Sequence, residues 1–381
     1  MLPAYRIIIR DVKRYTDNGL DYIPVLEFKQ MAGRAGRPEH HDEGHAVAIA
    51  EEEGERQEIR DRYIYGEPET IYSKLAVEPV LRMHALGLIA TGFAASFEDL
   101  TRFFENTFYA YQYGETDDIV EKLESVVGNL EEYGFVEEDE GNLAATTIGE
   151  RVAELYIDPY TAHHLLQHLE QAEAGGGSDL AFLHSLSQTV EMKPRFRVRQ
   201  SEEADVEEML AEAEEELFEQ PPEPWDLGYD QFLEALKTGM CLKEWVEEVD
   251  EDDLMDRYNV TPGGVRAKVE QADWLLYACS ELATLQEWDS AREQVQKLRT
   301  RVKHGIREEL LPLVRFDQVG RVRARALYDD GITTASDIRD ASFNHLKNLV
   351  GKRTAEKLKG QVGQDNVFDK ENILDYMDSG N

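Results

Sequence analysis

Cysteine is nearly absent from this chain. Cys241 and Cys279 are the only two, without metal-site spacing and each inside a helical pattern. They read as reduced core residues of an intracellular protein, and a disulfide is not expected. No apolar run reaches the ~18 residues a membrane helix needs, and no secretory signal opens the sequence, so a cytoplasmic location without a membrane partner is expected. The phosphate-loop pattern G-x-x-x-x-G-K-[ST] occurs nowhere. Positive charge is scarce as well. The 41 Lys and Arg face 78 Asp and Glu, a formal net charge of −37, and lysine is sparse beside arginine.

A nucleic-acid binder is ordinarily basic. Either nucleic acid is not the partner, or the acid surface is an adaptation to molar salt. The second reading is favoured. At ~1 M ionic strength the Debye length is about 3 Å, so surface carboxylates repel phosphates only at contact. Phosphate contacts then need only be local, and stacking matters more than the overall field.

What is present is organised around Gln30-Met31-Ala32-Gly33-Arg34-Ala35-Gly36-Arg37-Pro38. Two arginines each follow a glycine. Glycines let backbone turn tightly beside a ligand, and guanidinium forks match phosphate oxygens. The spacing fits an arginine-finger loop that stabilises charge on a γ-phosphoryl group; a solvated glycine-rich turn is the alternative. The stretch resembles motif VI of superfamily-two helicases, specifically the archaeal Ski-two-like DNA helicases related to the polymerase-theta helicase. Leu2-Pro3-Ala4, with the run Tyr5-Arg6-Ile7-Ile8-Ile9, resembles the tail of motif V and the strand after it. The similarity runs through the whole chain.

That resemblance implies an ATP-dependent 3′-to-5′ DNA helicase of repair or replication restart. Single-stranded and forked DNA would be its partners, with ATP and Mg²⁺ as cofactors of the complete enzyme. The family couples two RecA-like domains. The first, with its phosphate loop and DExH box, has no counterpart in this sequence. The chain would therefore begin inside the second motor domain, need the N-terminal RecA-like domain as a partner, act as a monomer, and by itself neither bind ATP tightly nor hydrolyse it. Arg34 and Arg37 would contact the γ-phosphate, Gln30 would support them, and Gly33 and Gly36 would shape the loop. A non-catalytic DNA-binding or docking module, or part of an RNA helicase, is the competing reading.

The expected fold is mixed and mainly α: part of a RecA-like α/β domain (1–66), a winged-helix domain (67–160), a helical ratchet domain (161–310), a helix-hairpin-helix domain (311–365) and a tail (366–381). Residues 5–9 read as a buried strand. Val12–Thr16 and Leu20–Val25 flank Asn18-Gly19, a strong hairpin signal because a type I′ turn needs positive φ. Pro24 in the second arm marks an edge ribbon. The resemblance implies a strand-separation pin here, with Arg14, Tyr15, Asn18 and Gly19 at or near its tip. His40, His41 and His45 invite a metal reading, but the segment reads better as a polar turn before a strand at 46–50.

From residue 70 the pattern is helix (71–88), helix (97–111, capped by Ser96), helix (117–133, ending at Gly134), ribbon and closing helix. The third helix exposes Glu121, Glu124, Glu131 and Glu132 against Lys122, so this domain reads as a hinge, not a DNA reader. Gly175-Gly176-Gly177 reads as a flexible loop, and His163, His164 and His168 as packing and surface residues. Lys193–Arg199 interleaves cations with Phe196 and suits either a single-strand contact or pairing with the acidic helix after it.

Thr261-Pro262 is a helix start, and the helix should run through Leu282. At about 100° per residue, Val265, Val269, Ala272, Leu276 and Cys279 share one stripe, while Trp274 lies opposite with Ala267, Glu270 and Glu281. The indole packs on a second helix or stacks on a base. The resemblance implies a helix whose tryptophan and arginine touch the translocating strand; Trp274 matches, and Arg266 is the nearest arginine, roughly 80° around the helix from it. Finally, Arg321, Arg323 and Arg325 after Gly320, and Lys352 and Arg353 after Gly351, resemble tandem helix-hairpin-helix units gripping DNA phosphates. Pairing of these arginines with nearby aspartates is the alternative.

Overall fold

The computed structural model describes residues 4–16, 19–36, 43–114 and 117–363. Arg37, the Asp17-Asn18 turn, His40, His41 and the tail after residue 363 fall outside them. The chain divides into two compact units, Met1–Ser73 and Lys74–Asn381.

The first unit runs β1 (Arg6–Ile9), β2 (Lys13–Thr16), β3 (Gly19–Tyr22), α1 (Val25–Ala32), β4 (His45–Ala48) and α2 (Glu53–Ile59), with a π-helical turn at Arg60–Ile64. β1 and β4 pair in parallel, and β2 and β3 form the antiparallel hairpin. The isoleucine run is not buried throughout. Ile9 is buried but Ile8 is exposed, because alternate side chains of a strand face opposite sides and the core covers one of them. That core is Ile9, Val12, Ile23, Val25, Phe28, Ile59 and Tyr63. The Phe28 and Tyr63 rings stack at 4.4 Å, and the Tyr63 hydroxyl donates to the Ile23 carbonyl at 2.7 Å. Pro24 does not edge the ribbon. β3 stops at Tyr22 and Pro24 is the N-cap residue of α1. The Glu69 carboxylate accepts from the free N–H groups of Val25 (2.6 Å) and Leu26 (3.0 Å), a favourable charge for a helix N-terminus.

The second unit is almost wholly helical. It begins with α3 (Glu78–Ala90), α4 (Phe97–Glu105), α5 (Phe108–Tyr113), α6 (Asp117–Glu132), the ribbon β5 (Val136–Asp139) and β6 (Asn142–Ala145), and α7 (Thr147–Leu155). Next come α8 (Pro159–Gly175), α9 (Asp179–Gln188), α10 (Glu203–Ala213), α11 (Tyr229–Val246), α12 (Glu251–Tyr258), α13 (Pro262–Leu285) and α14 (Asp289–His304). The end is α15 (Leu311–Val314), α16 (Arg321–Asp329), α17 (Ala335–Asp340), α18 (Phe343–Val350) and α19 (Lys352–Gly363).

Several boundaries differ from the sequence reading. The helix expected from Ile71 starts at Glu78, with Pro79 in its first turn, and Ile71 and Tyr72 lie exposed. The helix expected over 97–111 breaks at Asn106-Thr107, whose side chains donate to the Arg102 and Phe104 carbonyls. Such local bonds compete with helix continuation. The caps agree: Ser96 accepts from the Asp99 N–H at 3.2 Å, and Gly134 ends the third long helix at φ 73°. Gly177 is not in a loose loop. A Cβ there would sit 2.5 Å from the Phe218 ring, so close packing requires the glycine. The Lys193–Arg199 stretch is turned partly inward: Arg195 Nε donates to the Ser187 carbonyl, and Phe196 packs against the main core.

One apolar core draws on residues from Leu81 to Val302, through both the ribbon-bearing part and the helices after it, while Val206, Leu210, Tyr229, Phe232, Leu233 and Leu236 form a smaller cluster of their own. Across it, Arg82 donates twice to Asp158, at 2.9 and 2.8 Å, both residues being buried. Residues from Ile306 to Val362 close over a separate core.

Candidate nucleic-acid interface

The arginine loop is built by backbone. α1 ends as Gly33 N–H donates to the Lys29 carbonyl (2.8 Å) and Ala35 N–H to Ala32 (3.0 Å). Gly36 N–H then donates to the Ala4 carbonyl at 2.8 Å, which ties the loop to the start of the sheet. Gly36 has φ +66°, and a Cβ on it would lie 2.6 Å from Gly44 Cα; one on Gly44 would lie 2.4 Å from Gly36 N. Two chain segments therefore cross where no side chain fits. Gly33, with φ −67°, is under a milder constraint, since a Cβ there would lie 3.1 Å from the Lys29 carbonyl oxygen. Gly44 escaped the sequence reading, since nothing local marks a crossing partner. On this frame Arg34 and Gln30 are exposed, and the Arg34 guanidinium has no hydrogen bond or ion pair among the described residues. In the hairpin, Tyr15 pairs with Leu20 and Thr16 with Gly19, while Arg14 is ion-paired to Glu27 at 2.9 Å.

The helix opened by Thr261-Pro262 is α13. Thr261 Oγ1 accepts from the Gly264 N–H at 3.2 Å, and the helix continues three residues beyond Leu282. All five residues of the apolar stripe are buried, with Leu275, Leu282 and Ala283 beside them. Trp274 is 36% exposed, on the side where Ala267 and Glu270 are exposed too. Its indole is partly covered and partly open to solvent, and it belongs to none of the buried apolar clusters among the described residues. Arg266 does not share that face closely. It lies exposed, pairs with Glu270 at 2.7 Å, and lines a cavity of about 360 Å³ with Trp245, Leu254, Met255, Val265 and Val269.

Three further residues flank the indole's side of α13. Tyr277 is half-buried one turn on, and the Arg299 guanidinium stands 4.8 Å over its ring while donating to Asp273 at 3.0 Å. Arg151 of α7 reaches the same edge, donating to Glu281 and Glu154, and these carboxylates raise its pKa further above the usual arginine value. Tyr277 was visible in principle at i+3 from Trp274; the two arginines come from other helices and were not. Cys241 and Cys279 are buried free thiols, each pushed up to about 12 by burial, as structural thiols should be.

At the C-terminal end the basic residues separate into two sets. Arg321 donates to the Val249 carbonyl at 2.7 Å, its guanidinium 5.3 Å over the Trp245 ring. Arg325 is paired to Glu248 and, at 2.8 Å, to Glu309, and lies 3.7 Å from Asp329. Both are engaged within the protein. Arg323, Lys352 and Arg353 are exposed. Arg323 donates only to the nearby Gln318 carbonyl, Lys352 stands 3.9 Å from Glu356, and Arg353 has no side-chain partner among the described residues. Lys352 and Arg353 occupy the first turn of α19, just after Gly351 at φ 85°.

Residues 180–305, from α9 to just past α14, match the family described as archaeal helicase, domain 4. Proteins called ATP-dependent DNA helicase Hel308 align with nearly the whole chain. The one from Pyrococcus horikoshii is 36% identical over 95% of this chain and 50% of its own length. That from Methanocaldococcus jannaschii is 36% identical over 95% of this chain and 29% of its own, and that from Thermococcus kodakarensis 38% over 92% and 31%. The chain thus spans half or less of the length of these relatives. With α13 and Trp274 inside the matched residues, this chain is similar over nearly its whole length to the archaeal Hel308 DNA helicases, and its residues 180–305 match archaeal helicase domain 4.

Proposed function

We propose that this chain supplies two parts of an ATP-dependent 3′-to-5′ DNA helicase of repair or replication restart. One is an arginine loop for a nucleotide held by another RecA-like domain. The other is a stacking face on α13 for a single DNA strand. The observation that carries the reading is Trp274, partly exposed on a helix whose opposite stripe is wholly buried. A π-face offered to solvent accepts any base, which suits a motor that moves along sequence of every kind. Tyr277 extends the face, and Arg299 and Arg151 can exchange a carboxylate for a phosphate. Both pairs are only partly exposed, so a phosphate would have to compete with a part-buried carboxylate.

Arg34 fits the γ-phosphate role because its guanidinium is exposed and uncommitted while the backbone beneath it is fixed by the Gly36–Gly44 crossing. When bound, ATP with Mg²⁺ would supply the energy of phosphoryl transfer; this chain's part is to place a cation beside the charge that develops. Without a phosphate loop the chain alone is expected to show no turnover. At the C-terminal end, Arg323, Lys352 and Arg353 remain as phosphate contacts, while Arg321 and Arg325 hold the segment in place. The ribbon-bearing part, a winged helix by its element order, keeps its acidic α6 face and serves as a hinge.

The test is binding of labelled single-stranded DNA in molar KCl. Trp274→Ala should weaken it by about 1–3 kcal/mol, and a folded variant with unchanged affinity would overturn the stacking face. ATP turnover by the purified chain would overturn the assignment of the nucleotide to another domain.

A further inference from the structure

Among the described residues, one group of metal-apt side chains has its donor atoms converging: His164, His168 and Glu219. α8 places the two histidines one turn apart on the same face, with ring centroids 4.4 Å apart. Glu219, in the chain beyond the acidic turn Glu214–Glu216, brings Oε1 to 3.7 Å from His164 Nδ1 and 3.3 Å from His168 Nε2. All three donor atoms lie within 4.8 Å of one another. Bonds of about 2.0–2.1 Å around a tetrahedral ion hold ligand atoms about 3.4 Å apart, so the group needs only small movements to close.

The surroundings hold these side chains in aim. Ser185 Oγ bonds His168 Nδ1 at 2.7 Å, leaving Nε2 for the cluster, and Gln188 Nε2 donates to Glu219 at 2.9 Å. Outer partners of this kind fix ring and carboxylate orientation at metal centres. Phe218 stacks on His168 at 4.9 Å and walls one side, and His164 Nε2 is buried without a hydrogen-bond partner.

We propose that His164, His168 and Glu219 bind a divalent transition-metal ion of the Zn²⁺ type, with water as fourth ligand, stapling α8 to the segment that carries Glu219. Two imidazoles select such an ion over Mg²⁺, which prefers all-oxygen shells. A mere ion pair between His168 and Glu219 is the competing account. The experiment uses the full chain stripped with chelator, in molar KCl with excess Mg²⁺ to occupy the many surface carboxylates, titrated with Zn²⁺ and, for its visible spectrum, Co²⁺. The expected result is one-to-one binding, a tetrahedral Co²⁺ spectrum displaced by Zn²⁺, and a higher melting temperature with metal. His164→Ala and Glu219→Gln should each weaken Zn²⁺ at least about tenfold, and His163→Ala, one residue away, should not. Glu219 is partly exposed, so Glu219→Gln is a second variant should the buried histidine change fail to fold. Uptake equal in Glu219→Gln and the parent chain, or Co²⁺ with only the pale spectrum of a hydrated ion, would overturn the proposal.

Discussion

Single side chains and glycines separate what was legible in the sequence from what was not. The place of Trp274 came from counting at 100° per residue, and the five apolar residues opposite it are buried as that count requires. The burden on Gly36 and Gly44 came from no such count, because it arises where residues eight apart are folded back against each other. Gly44→Ala should therefore destabilise the first unit. A Cβ 2.4 Å from Gly36 N must push backbone, and overpacking of this kind costs about 1–3 kcal/mol. Differential hydrogen exchange would show the loss as weaker protection in β1 and β4, with α13 unaffected. Gly33→Ala, at an ordinary φ, should cost less than half as much. Equal effects at the two positions would refute the crossing as the loop's anchor.

Among elements, α16 is where the sequence misled. Three arginines at alternate positions after a glycine look like a phosphate grip, and the partners of two of them, Glu248 and Val249, lie more than seventy residues upstream. Sequence spacing carries no trace of such a pairing. It is decided by how α16 packs against the end of α11. The expected consequence is that Arg325→Ala loosens residues 306–363 without unfolding them, since these residues have a core of their own. Limited proteolysis should cut sooner between α14 and α15, while melting of the main helical body shifts little. A single melting transition that falls as a whole would show that the two cores unfold together. The hairpin and the caps, by contrast, were readable because Asn-Gly, Ser-x-x-Asp and a terminal glycine act within four residues.

The molecule as a whole is governed by its charge. With −37 spread over 381 residues, like charges repel across the folded surface, and the range of that repulsion is set by salt: about 10 Å at 0.1 M and 3 Å at 1 M. The melting temperature should fall on dialysis from molar to 0.1 M KCl and recover on return. A melting temperature independent of KCl would refute the view that the acid surface is fitted to salt. Affinity for single-stranded DNA should decline with salt less steeply than about −0.7 per phosphate for the basic residues available, because stacking does not release counterions.

The joint at Arg325 then takes on another meaning. Its strength is drawn from opposite charges in contact and partly buried, separated by no more than the screening length of brine. Concentrated salt therefore quiets the repulsion between distant carboxylates and leaves this joint largely in place. Residues 306–363 would stay fastened under the very conditions that calm the exterior.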